Sequence, residues 1–186
     1  MPAYGLVVEG LSDRAALETL IKRLVTGSEV EVITRLAGDK KRLMKNFAGL
    51  LESFRWANQG SPVDKALVIR DSDGEDAAGI LAKMQATLAM RGSYGFPVQT
   101  LVIVQALEAW FLADERAIES LTAKRQTSIR NPEAVSGPKE VLKARLSAAR
   151  IIYTSSVVQA LAGKIKIEKV ARRCPAFRLF SDALKI

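Results

Sequence analysis

The chain has 186 residues, 48% of them hydrophobic and 26% charged, with a net charge of +8, one cysteine and no histidine. That composition suits a folded globular core and argues against disorder. With no histidine, Ser-His-Asp and Cys-His catalysis and imidazole-bound metals are excluded, and the lone Cys174 excludes an intrachain disulfide framework and a multi-cysteine zinc site. Cys174, beside Pro175, reads as a small buried hydrophobe. No run approaches the roughly 18 apolar residues of a membrane span, and the basic-then-apolar order of a signal peptide is missing. A cytoplasmic protein with no membrane partner is expected.

The pattern alternates strand and helix over the first 114 residues. Gly5 to Val8 is a short apolar strand, and Ser12 to Leu24 has helical spacing, with Ser12 as N-cap. A second strand fits Val30 to Leu36, and a helix Lys40 to Trp56 with Leu43, Phe47, Leu50, Leu51 and Phe54 as its stripe. Lys65 to Arg70 is a third strand, Glu75 to Met90 a third helix, and Val98 to Val104 a fourth strand leading into a helix over Ala106 to Leu112. Such alternation predicts an α/β fold: an open parallel sheet of about four strands with helices on both faces.

Beyond Asp114 only helical patterns remain, at Arg116 to Leu121, Pro138 to Ala149, Ser156 to Leu161, Ile167 to Arg172 and Pro175 to Leu184, with a polar loop over Lys124 to Gly137. We therefore expect an α/β unit over residues 1–114 and a helical extension, 115–186, packed on it, because such short helices are unstable alone. Met1 to Trp110 carries 13 basic against 13 acidic residues, and Phe111 to Ile186 carries 15 against 7. The whole basic excess lies in the extension, which suits either phosphate-backbone binding or a solvated basic surface.

Carboxylates fall where apolar strands end: Glu9 after the first, Asp71 and Asp73 in the DSDG after the third, and Glu108 just past the fourth. In open parallel sheets ligands bind beyond the carboxyl ends of strands, so these acids should meet on one rim. Acids gathered there repel unless a hard, oxygen-ligated cation such as magnesium or manganese neutralises them. Each also has an ordinary explanation: Asp and Gly favour turns, Asp73 can cap the next helix, and Glu108 can face solvent. Lys40 and Lys41, in the GDKKR after the second strand, suit phosphate binding on that rim, although a solvated helix start explains them equally well.

The VEGLSD carrying Glu9 and Asp13, followed by the DSDG of Asp71 and Asp73, resembles the Toprim domain of primases, type IA and type II topoisomerases and overcoming-lysogenization-defect nucleases. With the EAWFLAD of Glu108 to Asp114, Tyr153 and the CPAFR of Cys174 to Arg178, nearly the whole chain is similar to a bacterial family of unknown function described as Toprim-like. The resemblance implies magnesium held by Glu9, Asp71 and Asp73, with Glu9 as general acid/base or ligand. Asp13 matches a further acid of the nuclease branch and allows a second metal. Glu108 has no assured counterpart.

The expected reaction is metal-dependent phosphodiester cleavage of nucleic acid, DNA before RNA, with an ATPase partner implied because resembling nucleases often work with one. This chain has no GxxxxGK[ST] loop of its own. One competing reading is a nucleic-acid or partner-docking module with a degenerate or structural metal site. A receiver-like signalling domain is disfavoured, since Gln105 to Glu108 stands where its lysine belongs. Tyr153 reads as packing, not as a nucleophile.

Overall fold

Four parallel strands, β1 (Ala3–Val8), β2 (Glu31–Leu36), β3 (Lys65–Asp71) and β4 (Val98–Ile103), form one open sheet in the order β2-β1-β3-β4. The computed structural model describes residues 1–25 and 29–185; Ile186, the last residue of the expected extension, lies outside them. The architecture is the α/β one that the strand and helix alternation predicts. Every strand runs the same way, so all four carboxyl ends open on one edge. Among the described residues, no helix is long and apolar enough to cross a membrane.

Alternate residues of the buried strands enter two cores. Ala3 and Val7 of β1, with Ala66 and Val68 of β3, meet α2 (Lys40–Glu52) and α3 (Ala77–Arg91) through Leu43, Phe47, Leu51, Ile80 and Met84. Gly5 lies on this face because a Cβ there would stand 2.7 Å from the buried Phe54 ring. On the other face, Tyr4, Leu6, Leu67 and Ile69 meet α1 (Leu11–Leu24) and the later helices.

Those later helices are α4 (Glu108–Leu112), α5 (Glu115–Thr122), α6 (Pro138–Ser147), α7 (Ser155–Lys164), α8 (Ile167–Arg173) and α9 (Pro175–Ala183). Trp110 of α4 anchors them: it is fully buried, edge-on to Phe177 at 4.9 Å and tilted against Phe180 at 5.4 Å. Burying each such ring contributes about 1.5–3 kcal/mol. The Tyr4 hydroxyl donates to the Leu184 carbonyl at 2.7 Å, and Lys65 Nζ donates to the Lys185 carbonyl, tying the chain's end to β1 and β3.

Several boundaries differ from the sequence pattern. Helix α1 is capped at Gly10 rather than Ser12, and the Asp13 carboxylate accepts the Gly10 N–H at 2.9 Å. Helix α2 stops at Glu52 and tightens into a 3-10 turn over Ser53–Trp56. Helix α3 begins at Ala77, capped by Asp76, whose side chain accepts the Ala78 N–H at 3.1 Å. Asp73 is therefore not a cap.

Candidate active site

Glu9, Asp13, Asp71 and Asp73 line one cleft of about 590 Å³ beyond the ends of β1 and β3. The sheet sets the first and third: β1 ends at Val8, one residue before Glu9, and β3 ends on Asp71 itself, paired with Ile103. Beyond Asp71, the Ser72 N–H donates to the Ile103 carbonyl at 2.9 Å and the Ser72 hydroxyl accepts the Gln105 N–H at 2.8 Å. The Asp73 N–H donates to the Gln105 carbonyl at 2.7 Å. These bonds hold Asp73, Gly74 and Gln105 in left-handed backbone, with φ of 49°, 83° and 61°. Strain of this kind gathers at ligand sites, costing about 1–3 kcal/mol for each non-glycine residue.

Among the described residues Asp73 pairs with Lys40, whereas Glu9, Asp13 and Asp71 make no ion pair and press on one another. Burial first, then Asp13 and Asp73, push Glu9 up to about 7, with Arg70 and the Asp71 amide opposing. Glu9 Oε1 is buried with no hydrogen-bond partner. Asp71 is raised well above the ordinary value by burial, then by Asp13, Glu108 and Glu9. Asp13 is raised mainly by burial, with Glu108 and Asp73 adding to it and the Gly10 amide and Lys139 opposing.

Glu108 is buried and stands behind the cleft. Its carboxylate accepts the Tyr153 hydroxyl, so it does not face solvent. Tyr153 is no nucleophile: burial and the Glu108 charge hold its phenol far above the ordinary range.

The two lysines part company. Lys40 Nζ sits 3.3 Å from Asp73 and 3.2 Å from Glu75, and Glu75 also accepts from the buried Arg70 at 2.7 Å. Lys40 thus reaches the rim, already occupied by carboxylates. Lys41 is exposed and is not among the residues lining the cleft.

The opposite wall was not legible from the strand ends. It consists of Ser136, Gly137, Pro138, Lys139 and Glu140, at the N-terminus of α6. Gly137 takes the left-handed conformation, φ 60°, and Pro138 opens the helix. Lys139 Nζ lies 5.5 Å from the centre of the Tyr153 ring, and Lys143 Nζ lies 5.6 Å from it. The Ser-Gly-Pro-Lys run does signal a helix start, but one sequence cannot tell which rim receives it. Free amide groups and the helix dipole make such a terminus attractive to anions.

The donor set, oxygen only and crowded with negative charge, fits a hard divalent cation, and the orphaned Glu9 oxygen is a free ligand atom. Among the described residues, no group of three or more acids is arranged to hold an ion as it stands. Ligation would need side-chain rotation, which a small cluster of Asp and Glu permits.

Among solved structures, the chain is similar to the C-terminal region of the Burkholderia pseudomallei OLD protein, at 19% identity and a TM-score of 0.47, with 98% of each chain covered. It is also similar to the C-terminal region of the Xanthomonas campestris pv. campestris OLD protein, at 15% identity and a TM-score of 0.40, covering 98% of this chain and 95% of that one. No curated protein matches it. The model of a domain of unknown function, DUF4276, matches residues 8–185, and the chain belongs to that family.

Proposed function

We propose that this protein is a divalent-cation-dependent nuclease that cleaves phosphodiester bonds in the cleft. One observation carries the reading: Glu9, Asp13 and Asp71, in no ion pair among the described residues, share one cleft with Lys139 and the α6 N-terminus. One wall attracts a cation and the other attracts a phosphate.

Asp71 and Asp13, joined by Asp73, hold magnesium or manganese. When bound, such an ion offsets phosphate charge and makes water more acidic. Glu9, which lines the cleft and is pushed up to about 7, moves the proton. Lys139 and the α6 amides bind the phosphate, a role for which Lys40 and Lys41 are candidates from their place after the second strand. Lys40 instead fixes Asp73. Tyr153 holds Glu108, which adds negative charge behind Asp13 and Asp71.

The test is cleavage of supercoiled plasmid, linear duplex, single-stranded DNA and RNA in magnesium or manganese. An Asp71→Ala/Asp73→Ala variant should lose about 10²-fold or more of the activity, and Glu9→Gln about 10²–10⁴-fold. Manganese binding, read by calorimetry, should be lost only in the double variant. Equal cleavage by the double variant would overturn the assignment.

The lack, among the described residues, of a ready-made set of three ligands favours one second reading, a nucleic-acid docking module. Nucleic-acid binding that survives in the double variant, with no cleavage by the wild type even beside a candidate ATPase, would support it.

A further inference from the structure

We propose a second phosphate subsite on the helical segment, at a pocket between α5 and the loop that follows it. It holds a backbone phosphate of the same nucleic acid whose scissile group occupies the cleft, and so rests on the proposed function.

The pocket measures about 680 Å³ and is lined by Arg116, Arg125, Thr127 and Ser128 together with Glu115 and Glu119. Its carboxylates are already engaged. Glu115 pairs with Lys169 at 2.8 Å and Arg173 at 3.5 Å, and Glu119 accepts the Gln126 N–H at 2.8 Å. Arg116 and Arg125 are exposed and make no ion pair among the described residues.

Arg145 approaches from α6 behind the lining loop. Its Nη2 donates to the Thr127 carbonyl at 3.0 Å, while its Nη1 is buried with no partner in the protein. A buried guanidinium N–H left unmade is costly. Within this cluster, Arg116, Arg125, Arg145, Lys169 and Arg173 oppose Asp114, Glu115 and Glu119: five cations less three carboxylates leave an excess of two. Arginine forks match phosphate oxygens, and those with no competing carboxylate are free to do so.

Helix α6 connects the two sites. It carries Lys139 of the cleft wall in its first turn and Arg145 six positions later, a rise of about 9 Å at 1.5 Å per residue. Lys143 lies between them in sequence, close to Tyr153. A strand leaving the cleft can therefore follow α6 and set a later phosphate on Arg116 and Arg125.

The test uses an Arg116→Ala/Arg125→Ala variant, whose two side chains are exposed, with Arg145→Gln beside it. Binding of labelled single strands from two to twelve nucleotides is measured in EDTA over a range of salt. The wild type should gain affinity in a step once the strand spans both sites, and the double variant should lose that step. Its plot of log affinity against log salt should be shallower by about 1–2. Cleavage of a dinucleotide, too short to reach the pocket, should be unchanged.

An equal slope and length dependence in wild type and both variants would overturn the subsite, as would a wild type that binds no strand. Cleavage lost in Asp71→Ala/Asp73→Ala with no arginine effect sinks the subsite alone. An arginine effect without any cleavage sinks the nuclease chemistry alone.

Discussion

Asp114 and Asp71 are both carboxylates next to α4, and the fold treats them in opposite ways. Asp114, buried between α4 and α5, receives Lys169 Nζ at 3.0 Å and the Lys166 N–H at 2.9 Å. Its neighbour Glu115, although burial works against it, is held below the ordinary value by Lys169 and Arg173. Asp71 meets Asp13, Glu108 and Glu9 instead, and is driven upward. Asp114 is folded together with its cation, whereas Asp71 is folded against other carboxylates. The rim cluster therefore costs stability, whereas the Asp114 network adds to it.

The comparison predicts opposite signs for similar substitutions, and the largest effect belongs to Asp114. Asp114→Ala leaves the part-buried Lys166 N–H without its acceptor and leaves Lys169 to Glu115 alone. Breaking a buried pair of this kind should cost about 3 kcal/mol. In a chain of this length that lowers Tm by about 6–12 °C. A shift under 2 °C in a thermal melt would mean that α8 holds without the pair.

Tyr153→Phe comes next. It removes the phenol that donates to the buried Glu108 and should cost about 1–3 kcal/mol. The same change leaves Glu108 uncompensated behind Asp13 and Asp71, so manganese should bind at least as tightly as in the wild type. A large fall in manganese affinity would show that Tyr153 acts on the ligands themselves.

These two residues also mark how far sequence reasoning reaches. Glu9 and Asp71 were legible because a parallel sheet turns strand ends, visible as apolar runs, into one edge in space. Glu108 is legible as an acid just past the fourth strand, but its partner lies 45 residues on, at Tyr153, and no local pattern announces that hydrogen bond. Lys139 was hidden for the same reason: α6 reaches the rim through packing of α4 and α6 in a core shared by distant segments. Lys40 was placed on the correct rim, yet its engagement with Asp73 and Glu75 depends on the left-handed turn at Asp73 and Gly74. Local rules found the acids, and tertiary contacts decided what faces them.

Asp71→Asn reverses the sign of the Asp114 result. Removing one negative charge relieves Glu9 and Asp13, so in EDTA the variant should melt about 2–4 °C higher, the scale of 1 kcal/mol in a chain this long. Added magnesium should then raise the Tm of the wild type but not of the variant, since only the wild type keeps its ligand. A variant that melts lower in EDTA would place Asp71 with Asp114, as a structural acid.

The pH profile of the metal-free protein separates the two groups most finely. The folded Glu9 titrates at about 7 against an ordinary value of 4.5, so between those values the folded chain binds more protons than the unfolded one. Its contribution to stability is full below 4.5 and is lost as pH rises towards 7. Asp13 and Asp71, also raised, act in the same direction. Glu115 is lowered, so its contribution is present above the ordinary value and is lost only on acidification below it. The two groups therefore occupy separate windows. From pH 4.5 to 7 in EDTA, Tm should fall by about 2–4 °C, after solvent screening of the half-exposed Glu9 reduces its share to about 1 kcal/mol. Glu9→Gln should flatten that slope and leave the loss of stability below pH 4.5 intact, because the latter belongs to the paired carboxylates. A wild-type Tm that rises across the upper window would mean that the rim acids are compensated in solution, and the contrast with Asp114 would fail.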